Sequence, residues 1–307
     1  MESLEAVAKR LRTLRDLVRF GASAFDRAGL HFGHGTDNAF DDALALVLHA
    51  LHLDHSIAPE YLDARLTEAE ISDIHALFRR RIEERLPVPY LTHEAWFAGL
   101  RFYVDERVVI PRSPLAELIE RQLEPWTEPE QVGRVLDLCC GSGCIGIAAA
   151  YAFPEATVDL VDRDTGALEV AARNVDEHAL GERVRTIESD LFASLRGECY
   201  DLVLCNPPYV DAESYASLPP EYGHEPEGGL ASGREGLDHP LAILAGAADQ
   251  LEPGGVLVLE VGASRDALER ALPGLEFVWV DLERGGEGVA VVTREALTAP
   301  GALARVA

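Results

Sequence analysis

One short segment strongly limits how this chain can fold. The apolar run Tyr200-Asp201-Leu202-Val203-Leu204 leads directly into Cys205-Asn206-Pro207-Pro208-Tyr209. The run predicts a buried parallel strand, which the prolines must end because they have no N–H for a sheet ladder. An amide, rigid carbonyls and an aromatic ring are then expected at the carboxyl end of a strand, where open α/β sheets bind ligands. An ordinary turn that ends a strand would explain the same residues.

Strands and helices alternate along the rest of this region. Further strands are predicted over Arg134–Cys139, Thr157–Val161, Val184–Glu188 and Gly255–Val261, with helices over 144–151, Ala167–Glu177 and Pro240–Leu251. This alternation predicts a mostly parallel, doubly wound sheet of the α/β class. Two last runs, Phe277–Leu282 and Val289–Thr293, predict a closing hairpin that adds one antiparallel strand.

The N-terminal part has the period of helices. Apolar residues recur at helical spacing from Leu4 to Val18, and further helices are predicted over Asn38–Leu53 and Thr67–Leu86. The segment Thr67-Glu68-Ala69-Glu70 is expected to start the last of these, with a capping-type acid in its first turn. The run Arg79-Arg80-Arg81 near its end is interpreted as a solvated helix end that suits the helix dipole.

The period changes after residue 88. Short β-type runs at 95–97, 101–104 and 107–110 predict a hairpin linker over residues 89–114. The chain is therefore expected to have a helical domain over 1–88, this linker, and an α/β domain over 115–307 that begins with a helix at Leu115–Leu123. The segment Asp211–Asp238 has no clear period, and its length predicts a functional loop or lid.

Charge and composition exclude several classes of protein. The net charge is −26, from 53 acidic and 27 basic residues, and no long basic run is present. This argues against binding of duplex nucleic acid and permits a basic partner, although an adaptation to high salt or for solubility would explain the same excess of acids. Neither a membrane span nor a signal peptide is predicted, so a cytoplasmic protein is expected. The five cysteines are expected to be reduced and buried, without the spacing of a metal site.

A glycine-rich turn follows the first predicted strand. It reads Asp137-Leu138-Cys139-Cys140-Gly141-Ser142-Gly143, and Gly146 completes a formal dinucleotide fingerprint. Glycines at this place allow close approach of a ligand to the backbone, and the helix that opens here favours negative charge. A nicotinamide enzyme remains possible on this pattern alone.

Two acidic residues follow the next two strands. Asp162 ends the second strand, where a carboxylate can accept hydrogen bonds from both ribose hydroxyls or cap the next helix. Asp190, with Leu191 beside it, follows the third strand and can bond the amine of an adenine while Leu191 packs on its face. Together with the glycine turn they describe an adenosine across the sheet edge, with Asn206 facing its reactive end.

These motifs together resemble those of a known enzyme class. The pattern Asp-x-x-x-Gly-x-Gly, the later Asp162 and Asn206-Pro207-Pro208-Tyr209 resemble the class I S-adenosylmethionine-dependent methyltransferases that act on a planar nitrogen. The class implies a Rossmann-like, seven-stranded sheet and S-adenosyl-L-methionine as cofactor. It includes adenine and guanine methyltransferases. Cys139 stands where many members have a glycine, and we expect a β-type backbone to suffice there.

The segments outside the sheet are similar to one family within this class. Three segments resemble the hairpin of the protein-(glutamine-N(5)) methyltransferases: Tyr90-Leu91-Thr92, Phe97-Ala98-Gly99 and Val108-Val109-Ile110-Pro111-Arg112. Residues 224–238 resemble the long loop of that family. The next segment resembles that of the branch that acts on large-subunit ribosomal protein L-three; it reads Ser113-Pro114-Leu115-Ala116-Glu117-Leu118. The branch that acts on peptide chain release factors usually has an acid and Thr-Glu after Pro-Arg.

The resemblance implies roles for the residues of the motif. The donor site would comprise Asp137, Cys139, Cys140, Gly141, Ser142, Gly143, Asp162, Asp190, Leu191 and Asn206. Asn206 and the Pro207 carbonyl would hold the glutamine amide, Pro208 would shape the same slot, and Tyr209 would form its wall or pack in the core. No metal is implied. Release-factor methylation and amino-methylation of a nucleic-acid base are the alternatives.

Overall fold

The structure is a computed structural model that describes residues 11–304. Leu4, Val7 and Ala8 of the N-terminal helical pattern lie outside these residues. The described chain divides into two compact units, one of residues 11–94 with Pro219–His224, and one of Ala95–Leu218 with 225–304. Within residues 11–304, no helix is both long and apolar enough to cross a membrane.

The first unit is helical. Its helices are α1 (Leu14–Ala28), α2 (Ala39–Ala50), α3 (Glu68–Glu83) and the short α4 (Val88–Thr92). Thr67 caps α3 in a capping box with Glu70, as predicted from the sequence. Thr13 caps α1 in the same way. Residues 11–13 are therefore not helical, although the helical spacing of apolar residues in the sequence extends through them to Val18.

The interpretation of Arg81 as part of a solvated helix end is wrong. Its side chain is 2% exposed and forms an ion pair with Asp42 at 2.9 Å. Glu221, which is fully buried, lies 3.7 Å from Arg81 and accepts the backbone N–H of His31 at 2.8 Å. A buried guanidinium requires such partners because an unpaired charge in the interior is strongly unfavourable.

The second unit contains a seven-stranded sheet in the order β5-β4-β3-β6-β7-β9-β8. The strands are β3 (Arg134–Leu138), β4 (Thr157–Asp162), β5 (Val184–Glu188), β6 (Tyr200–Cys205), β7 (Leu251–Glu260), β8 (Val278–Trp279) and β9 (Val289–Thr293). Strand β9 is antiparallel to both of its neighbours, and the pairs among β3 to β7 are parallel. The prediction of a mostly parallel sheet with one antiparallel strand is therefore confirmed.

Helices cover both faces of this sheet. One core contains apolar residues of α5 (Leu115–Glu120), α6 (Cys144–Ala152) and α7 (Thr165–Glu177). The opposite core contains those of α9 (Asp238–Ala247), α10 (Arg265–Ala271) and α11 (Arg294–Thr298). Helix α5 ends at Glu120, earlier than predicted. Helix α9 ends at Ala247, and Leu251, predicted to be its last residue, instead begins β7.

The predicted hairpin is shorter than expected. Strands β1 (Ala95–Phe97) and β2 (Leu100–Phe102) pair antiparallel, but the predicted third run at 107–110 forms no strand. The Ile110 N–H instead donates to the buried carboxylate of Glu225 at 2.9 Å.

The long segment after Tyr209 is not structureless. It contains the short helix α8 (Ala212–Ala216) and two 3₁₀ turns, Pro220–His224 and Glu227–Gly229. Val210 pairs with Ala231, so this segment leaves and returns at the same edge of the sheet.

Candidate active site

Four neighbouring strands bring their carboxyl ends to one edge of the sheet. Leu138, at the end of β3, is paired in register with Val161 of β4 and with Cys205 of β6. Asp162 is paired with Glu188 at the end of β5. The segments that follow these strands contain all the predicted site residues except Asp137 and Asp162, which lie in β3 and β4. The structure therefore brings the predicted site together along one edge.

Every second residue of the glycine turn, from Cys139 to Gly143, has a positive φ angle. The φ angles of Cys139, Gly141 and Gly143 are +63°, +52° and +77°. The expectation of a β-type backbone at Cys139 is wrong, because this residue is in the left-handed region that favours glycine. Cys140 is buried and its N–H donates to the Val161 carbonyl at 3.0 Å. This bond fixes the turn to the neighbouring strand.

Asp162 is bonded to the glycine turn. Its Oδ2 accepts the Gly141 N–H at 2.9 Å and its Oδ1 accepts the Asp164 N–H at 3.0 Å. Each carboxylate oxygen has two acceptor positions, so both oxygens can accept a further donor such as a ribose hydroxyl. A Cβ at Gly141 would meet nothing within 4 Å. The turn therefore has open space above it beside a half-buried carboxylate.

Asp137 lies under the first turn of α6. It is fully buried, and its Oδ2 accepts the Gly146 N–H at 2.8 Å. Burial raises the pKa of Asp137 to about 7, with a contribution from the charge of Asp162 and against the effect of the Gly146 hydrogen bond. Within residues 11–304, its Oδ1 is buried without a hydrogen-bond partner. A cation above the turn would stabilise the ionised form of this group.

The rest of the turn serves helix packing. Ser142 is buried and its carbonyl accepts an N–H from the side chain of Asn174 at 2.9 Å. Gly143 precedes the first residue of α6. At Gly146 a Cβ would overlap Leu160 of β4 and come within 2.9 Å of the Cβ of Asp137. This glycine is therefore explained by close helix–strand packing.

Asp190 and Leu191 follow β5, on the far side of β4 from the glycine turn. The Ser189 N–H donates to the Asp162 carbonyl at 3.0 Å, which joins this segment to the end of β4. Asp190 is exposed, Leu191 is half-buried, and Leu191 has a positive φ of 47°. Strands β5 and β6 are three strand spacings apart, about 14 Å. An adenosine with a short extension spans such a distance.

The segment Asn206 to Tyr209 follows β6. Pro207 and Pro208 are buried, whereas Asn206 and Tyr209 are half-buried. Among the residues that the structure describes, the Asn206 side chain has no hydrogen bond. Tyr209 donates its hydroxyl hydrogen to Oε1 of Glu260 at 2.7 Å, and its carbonyl accepts the hydroxyl of Ser264 at 2.9 Å.

Glu260 was not identified from the sequence. It ends β7 at the same sheet edge, is 4% exposed and accepts a hydrogen bond from the ring hydroxyl of Tyr209. A signal was available, because an acid directly after the apolar run Val256–Leu259 occupies the strand-end position that Asp162 occupies in β4. Arg112 and Glu225 also form a bidentate pair, at 2.5 and 2.7 Å, to which sequence reasoning assigned no role.

Comparison with known proteins identifies the chain's relatives. The family model for the methyltransferase small domain matches residues 118–218. The chain is 51% identical over 291 residues to the ribosomal protein uL3 glutamine methyltransferase of Neisseria meningitidis serogroup B, covering 94% of this chain and 96% of the relative. It is 49% identical over 290 residues to the protein of the same name from Bordetella pertussis, covering 94% and 97% of the two chains.

Among solved structures, a methyltransferase from Pyrococcus furiosus is similar with a TM-score of 0.43 and 19% identity, over 61% of this chain and 89% of that chain. The two curated relatives match at about half of all positions over nearly their whole length. The chain is thus a methyltransferase and belongs to the family of ribosomal protein uL3 glutamine methyltransferases.

Proposed function

We propose that this enzyme transfers a methyl group from S-adenosyl-L-methionine to the side-chain amide nitrogen of a glutamine in ribosomal protein uL3. The observation that carries this proposal is the 51% identity, over 94% of the chain, to a protein named for glutamine methylation of uL3. Ribosomal protein uL3 corresponds to the large-subunit protein L-three of the sequence-based expectation. A ribosomal substrate would place the reaction in the cytoplasm.

The residues along the sheet edge fit the proposed donor. Asp162 keeps free acceptor positions for the ribose hydroxyls, and the turn from Cys139 to Gly143 leaves open space beside it. Asp190 and Leu191 would hold the adenine through its amine and its face. The ionised form of Asp137, buried beneath the turn, would complement a positively charged donor. When bound, the donor supplies an electrophilic methyl group on a sulfonium sulfur.

Asn206 and Pro207 would orient the substrate amide. Amide nitrogen is a weak nucleophile because its lone pair is delocalised, so its orientation is decisive. The two N–H groups would donate to the Asn206 side-chain oxygen and the Pro207 carbonyl, which fixes the nitrogen and stabilises the positive charge that develops on it. Pro208 makes the turn rigid, and Tyr209 would form a wall of the slot. The bound donor would supply the methyl group, and the amide nitrogen held by Asn206 and Pro207 would accept it and release one proton to solvent.

Charge supports a protein substrate rather than a nucleic acid. The chain has a net charge of −26, so it attracts a basic ribosomal protein and repels nucleic-acid phosphates. We propose residues 1–88 as a substrate-recognition domain, residues 89–114 as a linker and residues 115–307 as the methyltransferase domain. The segment Asp211–Asp238 would close over the target peptide.

Substrate competition tests the proposal directly. Purified enzyme is given tritiated donor with uL3, a release factor and ribosomal RNA at equal concentrations, and labelling of uL3 is expected. The second-order rate constant should fall as salt rises, since exposed charges are screened over about 10 Å at 0.1 M. Preferential labelling of the release factor would assign the chain to the other branch, and labelling of RNA would refute a protein substrate.

A single substitution tests the amide slot. Asn206→Ala deletes the side-chain oxygen that would accept one amide hydrogen, and kcat is expected to fall by about 10²-fold, as for loss of one preorganised polar contact. Donor affinity measured by calorimetry should stay near that of the wild type. Unchanged turnover in a folded Asn206→Ala protein would show that the slot is elsewhere.

A further inference from the structure

A buried carboxylate lies behind the tyrosine of the proposed amide slot. Glu260, the last residue of β7, is 4% exposed. Burial raises its pKa, against the hydrogen bonds of Ser113 and Tyr209 and the nearby charge of Arg112. A carboxylate that the fold removes from water needs hydrogen-bonding or charged partners.

Each carboxylate oxygen of Glu260 accepts a hydrogen bond from one hydroxyl group. The Tyr209 hydroxyl donates to Oε1 at 2.7 Å and the Ser113 hydroxyl donates to Oε2 at 2.5 Å. The Ser113 Oγ also accepts the Leu115 N–H at 3.2 Å, and its single hydrogen is left to donate to Glu260. Two donated hydrogens fit an ionised carboxylate, which can only accept.

Several contacts hold Tyr209 in place. Its hydroxyl is bonded to Glu260, and its carbonyl accepts the Ser264 hydroxyl at 2.9 Å. A Cβ at Gly262 would lie 2.7 Å from a carbon of the tyrosine ring, so the ring occupies the space that a side chain at Gly262 would fill. The bond to Glu260 fixes the hydroxyl end of the ring.

We propose that Glu260 is a positioning residue that fixes the ring of Tyr209 and ties it to Ser113, and so sets the wall against which the substrate amide is oriented. This inference rests on the proposed function. It also links two separate stretches of the chain, since Ser113 precedes α5 by two residues and Tyr209 follows β6. Loss of the carboxylate would remove the hydrogen bond that holds the Tyr209 ring, and the substrate amide would then be less well oriented. It would remove no contact to S-adenosyl-L-methionine.

Three single substitutions and one double variant separate positioning from other roles. Glu260→Ala and Tyr209→Phe are each expected to lower kcat by about 10-fold, with donor affinity unchanged. The double variant should lose no more than the larger single loss, because both changes break the same bond. Glu260→Gln keeps an oxygen that accepts the tyrosine hydroxyl, and it should retain most of the wild-type kcat.

A matched control uses a second tyrosine–carboxylate bond of the same length. Tyr200 donates its hydroxyl hydrogen to Asp159 at 2.7 Å, and it begins β6 at the opposite edge of the sheet. Tyr200→Phe should lower the urea midpoint while kcat stays within about twofold of the wild type. The same cycle of Glu260 and Tyr209 variants is also run on urea unfolding, which requires no substrate, and the shifts should again be non-additive.

The outcomes separate a failure of the proposed function from a failure of the positioning role of Glu260. Failure of the wild type to label uL3 would overturn the proposed function, and the unfolding cycle would still test the bond between Glu260 and Tyr209. Additive losses in both cycles would overturn the positioning role. So would full activity of Glu260→Ala, or of Tyr209→Phe if the alanine variant does not fold. A Glu260→Gln protein as impaired as Glu260→Ala would show that the charge itself, rather than the position of the ring, is required.

Discussion

Replacing Asp137 by asparagine is expected to remove part of the pH dependence of folding stability. Burial, with a smaller contribution from the charge of Asp162, raises the pKa of Asp137 to about 7 in the folded protein. In an unfolded chain an aspartate titrates near 3.9. Because the folded form binds the proton of Asp137 more tightly than the unfolded form, protonation of Asp137 stabilises the folded protein, and this contribution to the free energy of unfolding is full at low pH. It is lost as the pH rises from about 4 to about 7.

The size of the effect follows from the shift. About three pKa units correspond to about 4 kcal/mol in the free energy of unfolding, of which about 2 kcal/mol is lost between pH 5.5 and 7.5. Asp137→Asn stays neutral and can still accept the Gly146 N–H. Its amide nitrogen would replace Oδ1, which has no partner within residues 11–304. The variant is therefore expected to be less stable at pH 5.5 by about 1–3 kcal/mol.

Urea unfolding of both proteins at pH 5.5, 6.5 and 7.5 measures this effect. Most other titrating groups cancel in the difference between the two proteins, because they are the same in each. The deficit of Asp137→Asn should shrink by about 2 kcal/mol as the pH rises to 7.5. A difference that stays constant across this range would refute the assignment of a raised pKa to Asp137.

Three further substitutions have defined expectations. Asp162→Ala should weaken donor binding by about 1.5–3 kcal/mol, the range for hydrogen bonds to a charged group, and unchanged affinity by calorimetry would remove Asp162 from the site. Arg81→Met should cost about 3–5 kcal/mol of stability by leaving the buried carboxylate of Asp42 without its cation, whereas Arg80→Met at the exposed neighbouring position should cost no more than about 1 kcal/mol. Cys139→Gly should be about 1 kcal/mol more stable than Cys139→Ala, since both remove the thiol and only glycine tolerates a positive φ; equal midpoints in urea would contradict this.

The sheet was predictable because its signal is local. Strand β6 is defined by an apolar run of five residues and by the prolines that end it, and β5 was predicted with its observed bounds, Val184–Glu188. The position of a polar residue at a strand end follows from the same pattern. For this reason Asp162 and Asn206 were placed on one edge without knowledge of any contact.

Contacts between distant residues were not predictable in this way. Arg81 is 39 residues from Asp42 and 140 residues from Glu221, and a run of three arginines at a helix end is ordinarily solvated. Only the fold shows that the third arginine faces the interior. The same holds for Glu260, whose partners Ser113 and Tyr209 come from separate segments.

Backbone conformation was the least accessible property, and Cys139 shows why. The sequence identifies where the turn must be, because a strand ends and glycines follow, but it does not assign a sign of φ to a residue with a side chain. The Cys140 N–H bonds to Val161 across the strand edge, and the Gly141 N–H bonds to Asp162. These two bonds direct consecutive amides of the turn toward β4. Such tertiary bonds can hold a non-glycine residue at a positive φ of 63°, at a cost of about 1–2 kcal/mol. The strain is therefore a property of the assembled edge, and it coincides with the turn proposed to hold the donor.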